Sequence, residues 1–390
     1  MPLNEPRYDQ SVVKQVEAII AQALAVGASD IHLEPTQKQL RVRFRIDGVL
    51  YDQKPVEHSL MQQVISRLKV LANINIAEKR IPQDGKFSEV HGKKPIDFRV
   101  STFPGLFGEK IVVRILDRAA HAMKLEQLGF EPAMLNTLHQ LARKQNGFFL
   151  VTGPTGSGKT TTLYGMLSYV HSPDKNITTL EDPVEYHLDG ITQGHINPKA
   201  GFTFEKGIRA LLRQDPNILM VGEIRDRETA RVAIEAALTG HLVLSTLHTN
   251  NAPGAIMRLM DMNIEPFLIN AAVTGVLAQR LVRKLCLECK ERITPTPAHQ
   301  MLCEKLAMEA PLYESRGCAW CNNLGHKGRI GIFELLVISP ELRSLIVSQP
   351  KFDDIYAQCL RDGMQTLLQD GVQKVKSGLI SLQELVRVIT

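Results

Sequence analysis

Apolar residues along this chain change their period several times, and each change marks an element. Val12, Val16, Ile19, Ala23 and Leu24 recur at helical spacing and are followed by Gly27, which predicts an amphipathic helix with a glycine stop. Leu40, Val42, Phe44 and Ile46 then alternate with Arg41, Arg43 and Arg45, the period of a half-buried strand. Asp47-Gly48 turns that strand into another beginning at Val49. Residues 59–72 read as a second helix, and residues 96–101 and 110–116 as strands around a turn at 104–108. Residues 118–124 show no clear period and are the best linker candidate.

From about Leu125 the pattern becomes an alternation of short apolar runs with helical segments. The runs lie at 148–152, 177–180, 218–221 and 242–246, and the helices at 159–170, 204–213 and 227–238, the last closed by Gly240. Such alternation implies a parallel sheet with its chemistry at the carboxyl ends of the strands. The nearly apolar run 267–278 contains Asn270 and Thr274, is too short to span a bilayer, and reads as a buried helix. Four cysteines and then short helices fill the rest. The expected organisation is an N-terminal α/β domain at 1–117, a linker at 118–124 and an α/β core at 125–280. A cysteine subdomain at 281–333 and a helical segment at 334–390 complete it.

Composition narrows the class without naming it. At 390 residues, with 44% hydrophobic and 22% charged residues, the chain has room for two or three globular domains. A formal charge of +5 is small for this length, and aromatics are only 5%, so the basic and aromatic stripe of a nucleic-acid channel is missing. The first ten residues lack a cationic start followed by an apolar stretch. The expected location is cytoplasmic, with membrane contact made through partners.

The strongest chemical signal is Gly153-Pro154-Thr155-Gly156-Ser157-Gly158-Lys159-Thr160, which fits G-x-x-x-x-G-K-[ST] between a predicted strand and a predicted helix. Backbone N–H groups of such a turn point into one concavity with a helix N-terminus behind it. Lys159 is placed for the β- and γ-phosphates of a nucleoside triphosphate, and the Thr160 hydroxyl for Mg²⁺, with Thr161 following. Hydrolysis also needs an acid near the metal and a group that orients water. Glu223 follows the apolar run 218–221 and takes the Walker B position in degenerate form, since Gly222 stands where Asp is usual. Glu181 ends the run 177–180, just before Asp182 and Pro183, and is expected beside the γ-phosphate. Acids at strand ends also serve as caps or solvated loop residues; it is their order after the phosphate loop that favours chemistry.

His241 and His248 flank the fourth strand. The ordinary role of such a histidine is packing; the functional one is sensing the γ-phosphate. Arg99 and Arg114 sit on the polar faces of their strands, as solvated residues or surface pairs by default. Arginines brought from a neighbouring domain can also neutralise phosphoryl-transfer charge. Cys286, Cys289, Cys318 and Cys321 form two C-x-x-C knuckles 28 residues apart, the pattern of a structural Zn²⁺ closed by four thiolates. Cys303 and Cys359 fall outside the pattern.

Several segments carry a resemblance. They are the phosphate loop, Leu180-Glu-Asp-Pro-Val-Glu-Tyr186, Leu212-Arg-Gln-Asp-Pro-Asn217 and Val221-Gly-Glu-Ile-Arg-Asp226. With them go Thr239-Gly-His-Leu-Val-Leu-Ser-Thr-Leu-His-Thr249, Ala28-Ser-Asp-Ile-His-Leu-Glu-Pro35, Arg80-Ile-Pro-Gln-Asp-Gly85 and Gly328-Arg-Ile-Gly-Ile-Phe-Glu-Leu335. Together they resemble the type II/type IV secretion ATPase family over nearly the whole chain, in particular the group that powers type II secretion and type IV pilus assembly (GspE/PilB-like). The resemblance implies an α/β fold: a RecA-like P-loop NTPase core, an N-terminal α/β (PAS-like) domain, a tetra-cysteine zinc insertion and a C-terminal helical segment.

It further implies that Glu181 acts on the attacking water, that Glu223 is the Walker B glutamate, and that His241 and His248 form a histidine box. Arg99 and Arg114 match arginines that reach the nucleotide from the N-terminal domain of the same or an adjacent subunit. The zinc insertion is a mark of assembly rather than retraction ATPases. Members of the group act as homo-hexamers with inner-membrane platform proteins, their N-terminal domains moving against the cores to drive polymerisation of pilin or pseudopilin. The extra N-terminal docking domain that members usually carry before the region near Tyr8 is missing, so the chain reads as a short form. The expectation is an ATP-hydrolysing motor using ATP, Mg²⁺ and structural Zn²⁺. A RecA-like nucleic-acid translocase is the main alternative, and a zinc scaffold with a relic phosphate loop would require loss of acids that are present.

Overall fold

The computed structural model describes residues 10–92, 94–117, 123–309 and 311–389, so residues 118–122 of the expected linker lie outside the described residues. The chain divides into two units, residues 1–121 and 122–390. In the first unit come α1 (Gln10–Ala25), β1 (Asp30–Pro35), β2 (Gln39–Ile46), β3 (Val49–Asp52) and β4 (Val56–Glu57). These are followed by α2 (His58–Leu71), β5 (Gln83–His91), β6 (Lys94–Gly105) and β7 (Gly108–Asp117). The strands form one antiparallel sheet in the order β3-β2-β1-β7-β6-β5, with β4 beside β2. Alternation decides its faces: Ile31, Leu33 and Val113 meet Val16, Ile19 and Ile20 of α1 and Val64 and Leu68 of α2. The other face is charged. Glu34 pairs there with Arg43 and Lys110, each at 2.8 Å, and Asp30 with Arg114 at 3.0 Å.

The second unit opens with α3 (Pro132–Ala142), β8 (Gly147–Thr152), α4 (Lys159–Val170), β9 (Ile177–Glu181) and β10 (Thr192–His195). Next are α5 (Phe204–Leu211), β11 (Ile218–Val221), α6 (Arg227–Leu238), β12 (Leu242–Leu247), α7 (Ala252–Asp261) and α8 (Pro266–Ala272). It continues with β13 (Val273–Leu285), β14 (Lys290–Ile293), α9 (Pro297–Lys305), β15 (Leu312–Ser315) and β16 (His326–Val337). It ends with α10 (Pro340–Val347), α11 (Phe352–Arg361), α12 (Leu367–Lys376) and α13 (Leu382–Ile389). The main sheet has the order β10-β9-β11-β12-β8-β13-β16; all neighbours are parallel except β13 and β16. Its central strands are buried along their whole length because both faces are covered. Phe148, Leu150, Leu219 and Val243 pack on the side of α6, α7, α8 and α10, whereas Phe149, Val151, Met220 and Leu244 pack against α3 and α4.

Two expectations change here. The run 267–278 is not one helix: α8 ends at Ala272 and Val273 begins β13. A short, fully apolar run has no period that separates a buried helix from a buried strand. The boundaries expected at 280/281 and 333/334 also fall inside β13 and β16, which pair from Gly275–Val337 to Leu285–His326 as a long antiparallel hairpin. The cysteine region is thus an insertion at the far end of that hairpin. The C-terminal helices are built into the unit: α10 and α11 enter one core, and α12 and α13 pack Val372, Val375 and Leu385 with Val282 and Ile332. Among the described residues no helix is long and apolar enough to cross a membrane.

Candidate nucleotide site and cysteine cluster

The phosphate loop lies between β8 and α4 at the carboxyl edge of the parallel sheet. Gly153 has φ +146°, and a Cβ there would stand 2.4 Å from the Gln279 carbonyl oxygen; Gly158, the N-cap of α4, has φ +87°. Both positions require glycine, the first by space and the second by conformation. Gln279, buried on β13, holds the loop from behind. Its Nε2 donates to the Ser157 carbonyl at 2.7 Å, and its Oε1 accepts from the Thr162 hydroxyl at 2.8 Å. From the other side, Thr152 joins the end of β8 to the segment after β12, accepting from the Thr249 N–H at 2.8 Å and donating towards the Leu247 carbonyl at 3.1 Å.

Lys159 Nζ donates to the carbonyls of Gly153 and Pro154 at 3.0 and 3.1 Å, so the ammonium lies over the loop. Burial pushes its pKa below the ordinary lysine value; the Glu223 carboxylate opposes that shift and Arg280 adds to it. Thr160 and Thr161 occupy the first turn of α4, half-buried. Glu223, two residues beyond β11, is paired with Arg225 at 2.5 Å and faces His248 Nε2 at 3.6 Å. The structure therefore gathers Lys159, Glu223 and His248 at one edge. It does not bring His241 there. His241 precedes β12 at the opposite, amino edge, where its Nδ1 lies 2.9 Å from the Ala236 carbonyl at the end of α6. Six residues of strand, roughly 20 Å, separate the two histidines. The two histidines thus flank β12 as the sequence implies, and the His241 ring donates to a carbonyl in the last turn of α6.

Glu181 ends β9 and is only 3% exposed. Its Oε2 accepts from the Tyr164 hydroxyl; its Oε1 accepts from Thr179 Oγ1 at 2.5 Å and Gln193 Nε2 at 3.2 Å. Burial raises its pKa above the ordinary carboxylate value against those three donors. Gln279, Tyr164 and Gln193 were not singled out in the sequence. The one signal available was an amide side chain inside an apolar strand run at Gln279.

Arg99 and Arg114 belong to the first unit, on its charged face. They are direct partners in the β6–β7 register, with Lys86 opposite Arg99 and Asp30 opposite Arg114. Arg114 Nε donates to Asp30 at 3.0 Å and is 63% exposed.

Cys286, Cys289, Cys318 and Cys321 converge: their Sγ atoms all lie within 4.8 Å of one another, with Cys286–Cys318 at 3.8 Å and Cys289–Cys321 at 3.9 Å. Four thiolates at the usual Zn–S distance sit on a tetrahedron with edges of about 3.8 Å, so the spacing fits a tetrahedral metal ion. Backbone N–H groups of Cys318 and Gly325 point at Cys321 Sγ at 3.2 and 3.3 Å, which stabilises a thiolate there. Cys303 and Cys359 lie outside the cluster.

The sequence profile of the type II/IV secretion system protein family matches residues 5–387. The chain is 48% identical over 390 residues to the type II secretion system protein E of Pseudomonas aeruginosa, covering 99% of this chain and 77% of that protein. It is 46% identical over 379 residues to the type IV pilus assembly ATPase PilB of Thermus thermophilus, covering 96% of this chain and 43% of that one. Among solved structures it resembles the pilus retraction motor PilT with bound ADP, with a TM-score of 0.63, 28% identity, and 95% and 96% of the two chains covered.

Proposed function

From the premise that this chain belongs to the type II/IV secretion system protein family, we propose the following division of labour among its residues. The protein is an ATPase of the branch that powers type II secretion or type IV pilus assembly, and a nucleic-acid translocase is not supported. The observation that carries the site reading is the phosphate loop braced by Gln279, with Lys159, Glu223 and His248 gathered at the same sheet edge. The strand order, with the phosphate-loop strand β8 separated from β11 by β12, supports a RecA-like core.

The backbone N–H groups of Gly153 and of residues 155–161, with the Lys159 ammonium, hold the triphosphate, and Pro154 shapes the loop without donating. Thr160 and Glu223 would hold Mg²⁺, which supplies charge neutralisation on the transferred phosphoryl group. Glu181 orients water and accepts its proton, His248 reports on the Glu223 end of the site, and Arg99 and Arg114 supply further positive charge to the transition state. The four cysteines hold a structural Zn²⁺. The working form is a homo-hexamer, cytoplasmic and bound to the inner membrane through platform proteins.

Lys159→Ala and Glu223→Gln test the core of this. Each should reduce steady-state ATP hydrolysis by at least about a hundredfold, with Lys159→Ala also weakening nucleotide binding in a fluorescent-analogue titration. Turnover that survives Lys159→Ala contradicts the assignment of the phosphate loop.

A further inference from the structure

We propose that Tyr164 is a positioning residue for hydrolysis: its hydroxyl, carried on the helix that follows the phosphate loop, holds the Glu181 carboxylate in the orientation from which it acts on water. The proposal rests on the reading of Glu181 as the base and adds to it the group that sets that base.

The direction of each hydrogen bond follows from its partners. Tyr164 Oη lies within reach of the Glu185 N–H at 3.4 Å and Gln193 Nε2 at 3.3 Å, both of which can only donate. The phenolic hydrogen is therefore left for Glu181 Oε2, and the carboxylate accepts it. The Gln193 amide is fixed in turn: its Oε1 accepts from the Leu188 N–H at 2.8 Å and its Nε2 donates to the Tyr186 carbonyl at 3.1 Å. That leaves the amide nitrogen facing Glu181. With Thr179 the carboxyl has three donors and no freedom to turn, inside a site where Tyr164 is fully buried and stacked edge-on against Tyr186 at 4.7 Å. Tyr164 lies one and a half turns beyond Lys159 on α4, so a rigid stretch of about 7.5 Å separates the carboxylate's anchor from the phosphate ligands.

The titratable groups around Glu181 are Tyr164 from α4, Glu185 and Tyr186 from the segment after β9, and His195 opposite it in the β10 register. The residue that follows β11 there is Gly222. Burial and Glu185 make the carboxyl a weaker acid, whereas the donors, Tyr164 among them, make it a stronger one. A base must be ionised to work, so activity rises with pH through the titration of Glu181.

The test is the pH dependence of steady-state ATP hydrolysis by the wild type, Tyr164→Phe and Glu181→Gln. Phenylalanine keeps the ring and removes only the donor. Tyr164→Phe should move the acid limb to higher pH by about one unit, lower kcat several-fold on that limb, leave it unchanged on the alkaline plateau, and leave KM for ATP unchanged. A rate depressed evenly at every pH, or a profile superimposable on the wild type while Glu181→Gln is inactive, overturns the role of Tyr164. Turnover retained in Glu181→Gln defeats instead the reading of Glu181 as base, and the inference falls with it.

Discussion

Gln279 shows how one side chain can set the geometry of a loop that has three glycines among its eight residues. Its amide satisfies the Ser157 carbonyl and the Thr162 hydroxyl together, and its backbone oxygen lies where a Cβ on Gly153 would have to go. Gln279→Ala leaves two buried polar groups without that partner, at about 1–3 kcal/mol each. The expected result is a lower midpoint in denaturant unfolding together with a KM for ATP raised by about tenfold. An unchanged KM would show that the loop holds its shape without the amide. This residue also marks where sequence reasoning stopped. Residues of the phosphate loop are contiguous, so their spacing alone displays them. Gln279 is 122 positions from Ser157 and joins it only because β13 adds to the sheet parallel to β8. Tyr164 and Glu181 are closer in sequence, yet their meeting depends on the reach of a side chain from α4 to the end of β9. His241 and His248 flank one strand, as the sequence implies, and the length of that strand keeps the two rings at opposite edges of the sheet.

At the scale of elements, the β13–β16 hairpin is the part that periodicity could not outline. Its strands are apolar where they cross the core and turn polar where they leave it, so composition placed domain boundaries in the middle of both. The hairpin carries β14, α9, β15 and the cysteine cluster at its end. The side of the hairpin that faces the C-terminus is fastened by Glu384 on α13. Burial alone would raise the pKa of that carboxyl, but Arg387 and Arg283 hold it down at about 2. The cysteine region has few large buried apolar residues of its own, so a bound ion is expected to supply much of its stability. Chelation of Zn²⁺ from purified protein should therefore release the lone Trp320, already exposed, from the Lys327 ammonium over its ring, seen as a change in its fluorescence, and open the region to limited proteolysis. ATP binding at the phosphate loop should survive, because Gln279 lies on the core end of β13. Loss of nucleotide binding together with zinc would mean that the hairpin does not insulate its two ends.

The whole molecule consists of two units, each with its own sheet and its own core, and this makes their stabilities separable in principle. The first unit contains an unusual anchor. Lys69 of α2 is 1% exposed and its Nζ donates to both oxygens of Glu109 on β7, at 2.8 and 2.9 Å, and to the Glu78 carbonyl at 2.7 Å. A buried ion pair adds little over well-packed apolar residues of similar size, but removing one partner strands the other charge at about 3–5 kcal/mol. Glu109→Gln should therefore lower the melting transition of the first unit by about 10 °C or more. Replacing both members, Lys69→Met with Glu109→Leu, should recover most of that loss. Calorimetry can assign the transitions, since ATP stabilises the unit that binds it and raises that transition alone. In Glu109→Gln the nucleotide-sensitive transition should stay in place while the other moves down. If both moved together by the same amount, the two cores would unfold as one cooperative body, and the division into separately stable units would be wrong.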